Sequence, residues 1–150
     1  MNSLFMWILL VREAFGFISI KVESPVLKIN KSDIDIRCIV DGTNLSKVIS
    51  IQLNRSSIRV VAVRQNSVVW DAALENKTGV TVNASVSNDT SSLYLNLEIS
   101  KTVVRYPEDF GSYQCSLLAV DSLGGVVSDH SLIVNITGQY KHMYVQRNRE

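Results

Sequence analysis

The chain has 150 residues, 46% of them hydrophobic and 19% charged, with 15 basic against 14 acidic side chains and a formal net charge of +1. That length holds one domain with a short tail. The scattered basic residues give no electrostatic footprint for nucleic acid, so none is expected as a partner. The longest wholly apolar run, residues 4–11, is eight residues, well short of the about 20 that span a bilayer. It fits the hydrophobic region of a secretory signal peptide, and Ala14 and Gly16 stand three and one before a cut. No positive charge precedes the run, and Arg12-Glu13 interrupts its exit. The reading is a signal peptide over 1–16 and a mature chain from Phe17. With no second apolar segment and hence no membrane anchor, the product is expected to be secreted and extracellular.

Beyond the leader, strands show themselves by period-two alternation. The first is expected within residues 17–29, broken by Pro25, which cannot donate to a ladder and suits an edge. Ile34, Ile36, Cys38 and Val40 alternate with Asp33, Asp35 and Arg37, which turns Cys38 inward. Ile49, Ile51 and Leu53 form the next inward set. Residues 60–63 and 68–70 read as two further short strands. Val80, Val82 and Ala84 alternate with Thr81 and Asn83. Leu93, Leu95, Leu97 and Ile99 alternate with Tyr94, Asn96 and Glu98, placed outside. A strand then runs through Tyr113, Cys115 and Leu117, and a last one through Leu132, Val134 and Ile136. Turn residues fall between them, Asp41-Gly42 and Gly124-Gly125 among them. The domain is placed at 17–137, and residues 138–150, without a clear period, are read as a linker stub or disordered tail.

The most specific motif is Asp109-Phe-Gly-Ser-Tyr-Gln-Cys115. The pattern D-x-G-x-Y-x-C after an earlier inward cysteine marks strand F of an immunoglobulin-like β-sandwich. Tyr113 lies two residues before the second cysteine, where its hydroxyl can bond back to the backbone at the corner before the strand. Gly111 allows a tight turn without a Cβ clash. Cys38 and Cys115 are expected to form one intersheet disulfide, and closing a loop of that size is worth about 4 kcal/mol in the chain-entropy picture. The fold class is therefore all-β. Seven core strands, an added pair over 60–70 and the 77-residue cysteine separation point to the variable type, with a shorter intermediate type as the alternative. One departure stands out: the tryptophan usual on strand C is missing. Ile51, thirteen residues after Cys38, is expected to fill its volume, with Trp70 as an edge residue.

Seven of the eleven asparagines begin an Asn-x-Ser/Thr sequon: Asn30, Asn44, Asn54, Asn76, Asn83, Asn88 and Asn135. With 25 Ser and Thr among 150 residues, chance would supply about two. Asn54, Asn83 and Asn135 each stand beside an inward-facing residue (Leu53, Val82, Val134) and so point outward. The other four fall in turns. Glycans there would shade much of the domain. The loop Asp121, Ser122, Leu123, Gly124 and Gly125 carries no sequon and is the candidate partner-binding surface.

Catalytic and metal signatures are missing from the pattern. His130 and His142 have no cysteine or histidine at metal spacing, and neither a nucleophile elbow nor a glycine-rich phosphate loop occurs. The chain is read as a binding protein without cofactor or metal, not an enzyme.

The mature chain resembles the N-terminal immunoglobulin-like domain of the fibrinogen-related proteins of gastropod molluscs. The resemblance rests on Phe17-Ile-Ser-Ile-Lys-Val-Glu, on Lys28-Ile-Asn-Lys-Ser-Asp-Ile-Asp-Ile-Arg-Cys38, on Val104-Arg-Tyr-Pro-Glu-Asp-Phe-Gly-Ser-Tyr-Gln-Cys115 and on Val134-Asn-Ile-Thr-Gly138. It implies a secreted haemolymph lectin of innate immunity whose C-terminal fibrinogen-like domain recognises pathogen carbohydrate. That domain does not occur in this sequence, so the expectation is a truncated product or gene fragment, with a protein or pathogen surface antigen as partner. The alternative is an adhesion or receptor-type ectodomain that pairs with another immunoglobulin domain.

Overall fold

The computed structural model describes residues 16–87 and 92–138; all but Gly16 of the signal peptide expected over 1–16, the sequon at Asn88 and all but Gly138 of the tail expected over 138–150 lie outside them. The described residues form eleven strands and no helix: β1 (Ile18–Val22), β2 (Val26–Leu27), β3 (Ile34–Val40), β4 (Leu45–Arg55), β5 (Ile58–Arg64), β6 (Ser67–Trp70), β7 (Val80–Ser85), β8 (Leu93–Ile99), β9 (Gly111–Asp121), β10 (Val126–His130) and β11 (Val134–Gly138). One sheet has the order β1-β3-β8-β7. The other runs β2-β11-β9-β4-β5-β6, with β10 also paired to β9. This is the immunoglobulin arrangement ABED over A′GFC, extended by β5 and β6 as the C′ and C″ strands of the variable type. Pro25 does what its chemistry requires. It divides the first strand, so that β1 pairs antiparallel with β3 and β2 pairs parallel with β11 in the opposite sheet.

Alternation places the core as the sequence implies. Ile34, Ile36, Cys38 and Val40 on β3 meet Leu93, Leu95, Leu97 and Ile99 on β8 and Tyr113, Cys115, Leu117 and Ala119 on β9, all buried. Cys38 and Cys115 are bonded with Cα atoms 5.8 Å apart, within the usual range for a disulfide. Ile51 and Leu53 are fully buried, opposite Leu117 and Cys115 respectively. The tryptophan slot is thus filled by two aliphatic side chains. Trp70 sits half-buried on the edge strand β6, opposite Val61.

Four expectations need correction. A register shift between Val48 and Ser50 leaves Ile49 out of the ladder, so Val48 is buried and Ile49 only half-buried. The last strand begins earlier than expected: β10 pairs Val126–His130 with Val120–Ser116. Leu132 is not inward but 81% exposed. The cause is Ser131, whose backbone N–H donates to the Cys115 carbonyl at 2.9 Å while its Oγ accepts the Cys115 N–H at 2.9 Å. One residue thereby satisfies both ladder groups of Cys115, and the strand resumes one position out of phase, with Val134 opposite Tyr113. Such a one-residue bulge reverses which face each later side chain takes. Asn96, placed outside by parity, is buried: β8 is central, and Arg37 and Asn83 flank Asn96 in register on either side. Finally, β7 is not fully covered. It shares no ladder with β6, and a cleft of about 610 Å³ opens between residues 63–68 and 82–87. Ala84, inward by alternation, is exposed there.

Candidate functional site

The strand F motif builds a rigid base for the sandwich. The Tyr113 hydroxyl donates to the Asp109 carbonyl at 2.6 Å, and burial pushes its pKa far above the ordinary tyrosine range. Asp109 is itself fully buried. Its Oδ2 accepts the Arg105 N–H at 2.7 Å, and its Oδ1 faces Arg55 Nη1 at 3.7 Å. Gly111 has φ +133°, a conformation that L side chains rarely adopt, and an added Cβ there would lie 3.1 Å from Ser56 Oγ. Arg55 was not legible as a partner of Asp109: the two are far apart in sequence and meet only through strand pairing.

At the opposite end, the hairpin between β9 and β10 is tied down bond by bond. Asp121 Oδ1 accepts the N–H of Leu123 at 2.9 Å and of Gly125 at 2.8 Å. The Asp121 N–H donates to the Gly125 carbonyl, and the Gly124 N–H to that of Asp121. Gly124 supplies the positive φ, +87°, that the turn needs. The loop is also fastened to the B–C loop, because the Ser122 N–H donates to the Asn44 carbonyl at 2.9 Å and Ser46 Oγ donates to the Asp121 carbonyl at 3.0 Å. All five expected loop residues are therefore together, and they present Leu123 at 96% exposure. Val126, 74% exposed, stands opposite Val120, and Leu118 lies two residues along the same face. An apolar strip thus descends from the tip over the outer face of the larger sheet.

Lower on that face the surface turns polar. Gln52 Nε2 donates to Asn54 Oδ1 at 2.6 Å, Asn54 Nδ2 donates to Ser116 Oγ at 3.0 Å, and Ser116 Oγ lies 3.2 Å from His130 Nδ1. Ser116 and His130 share the pairing of a nucleophile and base. Among the described residues, however, no carboxylate hydrogen-bonds the His130 ring, and the pair stands on a sheet face as part of a cross-strand ladder. No group of three or more His, Cys, Asp or Glu that could hold a metal occurs among the described residues.

The sequons distribute around both sheets. Asn30 and Asn76 are exposed in turns with φ 63° and 61°, and Asn44 is exposed in the B–C loop. Asn83 is exposed on β7 of the four-stranded sheet. Asn135 is exposed on β11, with its Oδ1 accepting from Ser112 Oγ at 2.6 Å. Asn54 is half-buried in the ladder just described. Among the six described sequons, Asn54 and Asn135 share the outer face of the larger sheet at the end away from the tip. Asn44 flanks the tip itself, a neighbour that sequence spacing did not reveal.

No family of known proteins matches the chain, and no curated protein does. Solved structures do. Murine CRIg is 15% identical and superposes with a TM-score of 0.59, covering 83% of this chain and 99% of that one. A chain from the structural basis of T cell specificity and activation by the bacterial superantigen toxic shock syndrome toxin-1 is 16% identical, with a TM-score of 0.54, covering 81% and 98%. At such identities the likeness is one of fold: this is an immunoglobulin-like β-sandwich with one intersheet disulfide. The disulfide also fits an oxidising, extracellular compartment.

Proposed function

We propose that this chain is a secreted, glycosylated immunoglobulin-like binding module of innate immune recognition, which engages a protein or pathogen surface antigen through the hairpin tip at residues 121–125. The carrying observation is Leu123, almost wholly exposed on a loop whose backbone is held by the Asp121 carboxylate and the B–C loop. A preorganised apolar anchor loses little entropy when it enters a partner's pocket. The module acts by binding, without cofactor or catalysis. The resemblance to gastropod fibrinogen-related proteins supports the finer reading, in which this domain is the immunoglobulin-like part of a lectin of that kind.

A second reading is favoured by the strip Leu118, Val120 and Val126: pairing with another immunoglobulin domain, face to face, in an adhesion or receptor-type ectodomain. Two sequons on that face, Asn54 and Asn135, oppose it when they carry sugar. One experiment weighs both. Leu123→Asp and Val126→Asp are compared with the parent chain for binding to pathogen surface preparations and for self-association by sedimentation. The tip reading expects L123D to reduce surface binding at least about tenfold, the loss of one apolar anchor, with an unchanged melting midpoint. Unchanged binding by L123D overturns it. Self-association that V126D abolishes favours the second reading.

A further inference from the structure

Phe17 is held at three points. Its N–H donates to Asp129 Oδ2 at 2.8 Å across 112 residues of sequence. Its carbonyl accepts the Asp41 N–H at 2.8 Å, and its half-buried side chain packs on the core. Asp129 lies on β10 opposite buried Leu117, at an inward register position where it is only partly exposed. A carboxylate drawn inward is costly unless it is paired. The one salt bridge among the described residues is elsewhere, at Arg55 and Asp109, so Asp129 has only a neutral amide as donor.

We propose that Asp129 is the counter-ion of an α-ammonium at Phe17, so that removal of residues 1–16 completes an ion pair between the two sheets. The proposal rests on the export reading above. In the processing step a signal-peptidase-type protease adds water across the Gly16–Phe17 bond. The carboxylate departs with residues 1–16, and the new amine takes up a proton. An amide at this position offers one neutral donor. The ammonium offers three donors and a full charge at the same nitrogen, and a charge-assisted hydrogen bond is roughly twice as strong as a neutral one. The position is specific: a chain beginning at Gly16 leaves Phe17 an amide, and one beginning at Ile18 has no donor there. The pair joins β1, at the edge of the four-stranded sheet, to β10 of the other sheet. It is a second tie between layers whose covalent link is Cys38–Cys115.

The test is a cycle of proteins that all end at Glu150. One begins at Phe17, and another retains Gly16 behind a two-residue extension; each is made with Asp129, with D129N and with D129E. With Asp129 the chain starting at Phe17 should melt about 4 °C above the extended one, the scale expected for one charge-assisted bond in a domain of this size. The gap should close in the D129N pair and persist in the D129E pair. Equal midpoints in the Asp129 pair, or a gap that survives D129N, overturns the proposal. Intact-mass measurement of the secreted product separates the two premises. A start other than Phe17 sinks the processing step, while the engineered pairs still decide whether Asp129 receives an ammonium.

Discussion

Replacing Ile51 with Ala tests the reading of the core at its least expected point, where two aliphatic side chains stand in place of a tryptophan. Ile51 is 0% exposed, on a central strand opposite Leu117. The substitution removes three carbons, which at about 0.8 kcal/mol each comes to roughly 2.4 kcal/mol of lost burial. The remaining void adds to this, because β4 is clamped between β5 and β9 and cannot collapse far. The cost should therefore reach the upper part of the about 2–5 kcal/mol seen for buried isoleucine. In urea, with m near 2 kcal/mol/M, a cost of about 4 kcal/mol should lower the midpoint by roughly 2 M at unchanged m. Ile49→Ala is the internal control: the bulge between Val48 and Ser50 leaves Ile49 half-buried, and its loss should cost about 1 kcal/mol, half the burial of a core isoleucine. Equal costs at 49 and 51 would falsify the register and, with it, the account of how the tryptophan slot is filled.

Tyr113→Phe removes the 2.6 Å bond to the Asp109 carbonyl and should cost about 1–2 kcal/mol in denaturant titration. The same variant should alter the alkaline limb. Burial raises the Tyr113 pKa above its unfolded value near 10, so its contribution is complete below about pH 10 and is lost as pH rises towards the raised value; circular dichroism should show Y113F with a flatter alkaline loss, and parallel curves would argue against the assignment. Replacing both Cys38 and Cys115 with Ala should lower stability by about 4 kcal/mol, and non-reducing peptide mapping of the parent should recover the two as one linked pair. The secreted chain should run well above 16.7 kDa and collapse on enzymatic N-deglycosylation. Site mapping that finds Asn83 and Asn135 both unoccupied would remove the shading of the sheet faces.

Much of this fold could be read directly from the chain, because its main determinants are local. Alternation on residues 34–40 and 93–99 needs only the two-residue period of a strand, and the inward face of each came out as that period demands, Asn96 being the one outer position that the central place of β8 buries. The strand F motif is also short-range: Tyr113 reaches back to Asp109 four residues away, and Gly111 answers a φ that other residues resist. Through these local rules the sequence determined an immunoglobulin-like sandwich with its disulfide, the outward placement of Asn83 and Asn135, and a tight turn at 121–125. What depended on partners distant in the chain was decided only by the tertiary structure. Ser131 displaces a strand by one residue because Cys115 of a neighbouring strand offers it two ladder groups, and no period in residues 126–136 announces that. Ile49 loses its place for a similar reason, since bulges belong to a pair of strands rather than to either one. Arg55 finds Asp109 and Asn44 finds Ser122 through the pairing of β4 with β9, and Phe17 finds Asp129 where the two sheets pack. Alternation tells a side chain which face to take; the sheet on the other side determines what it meets there.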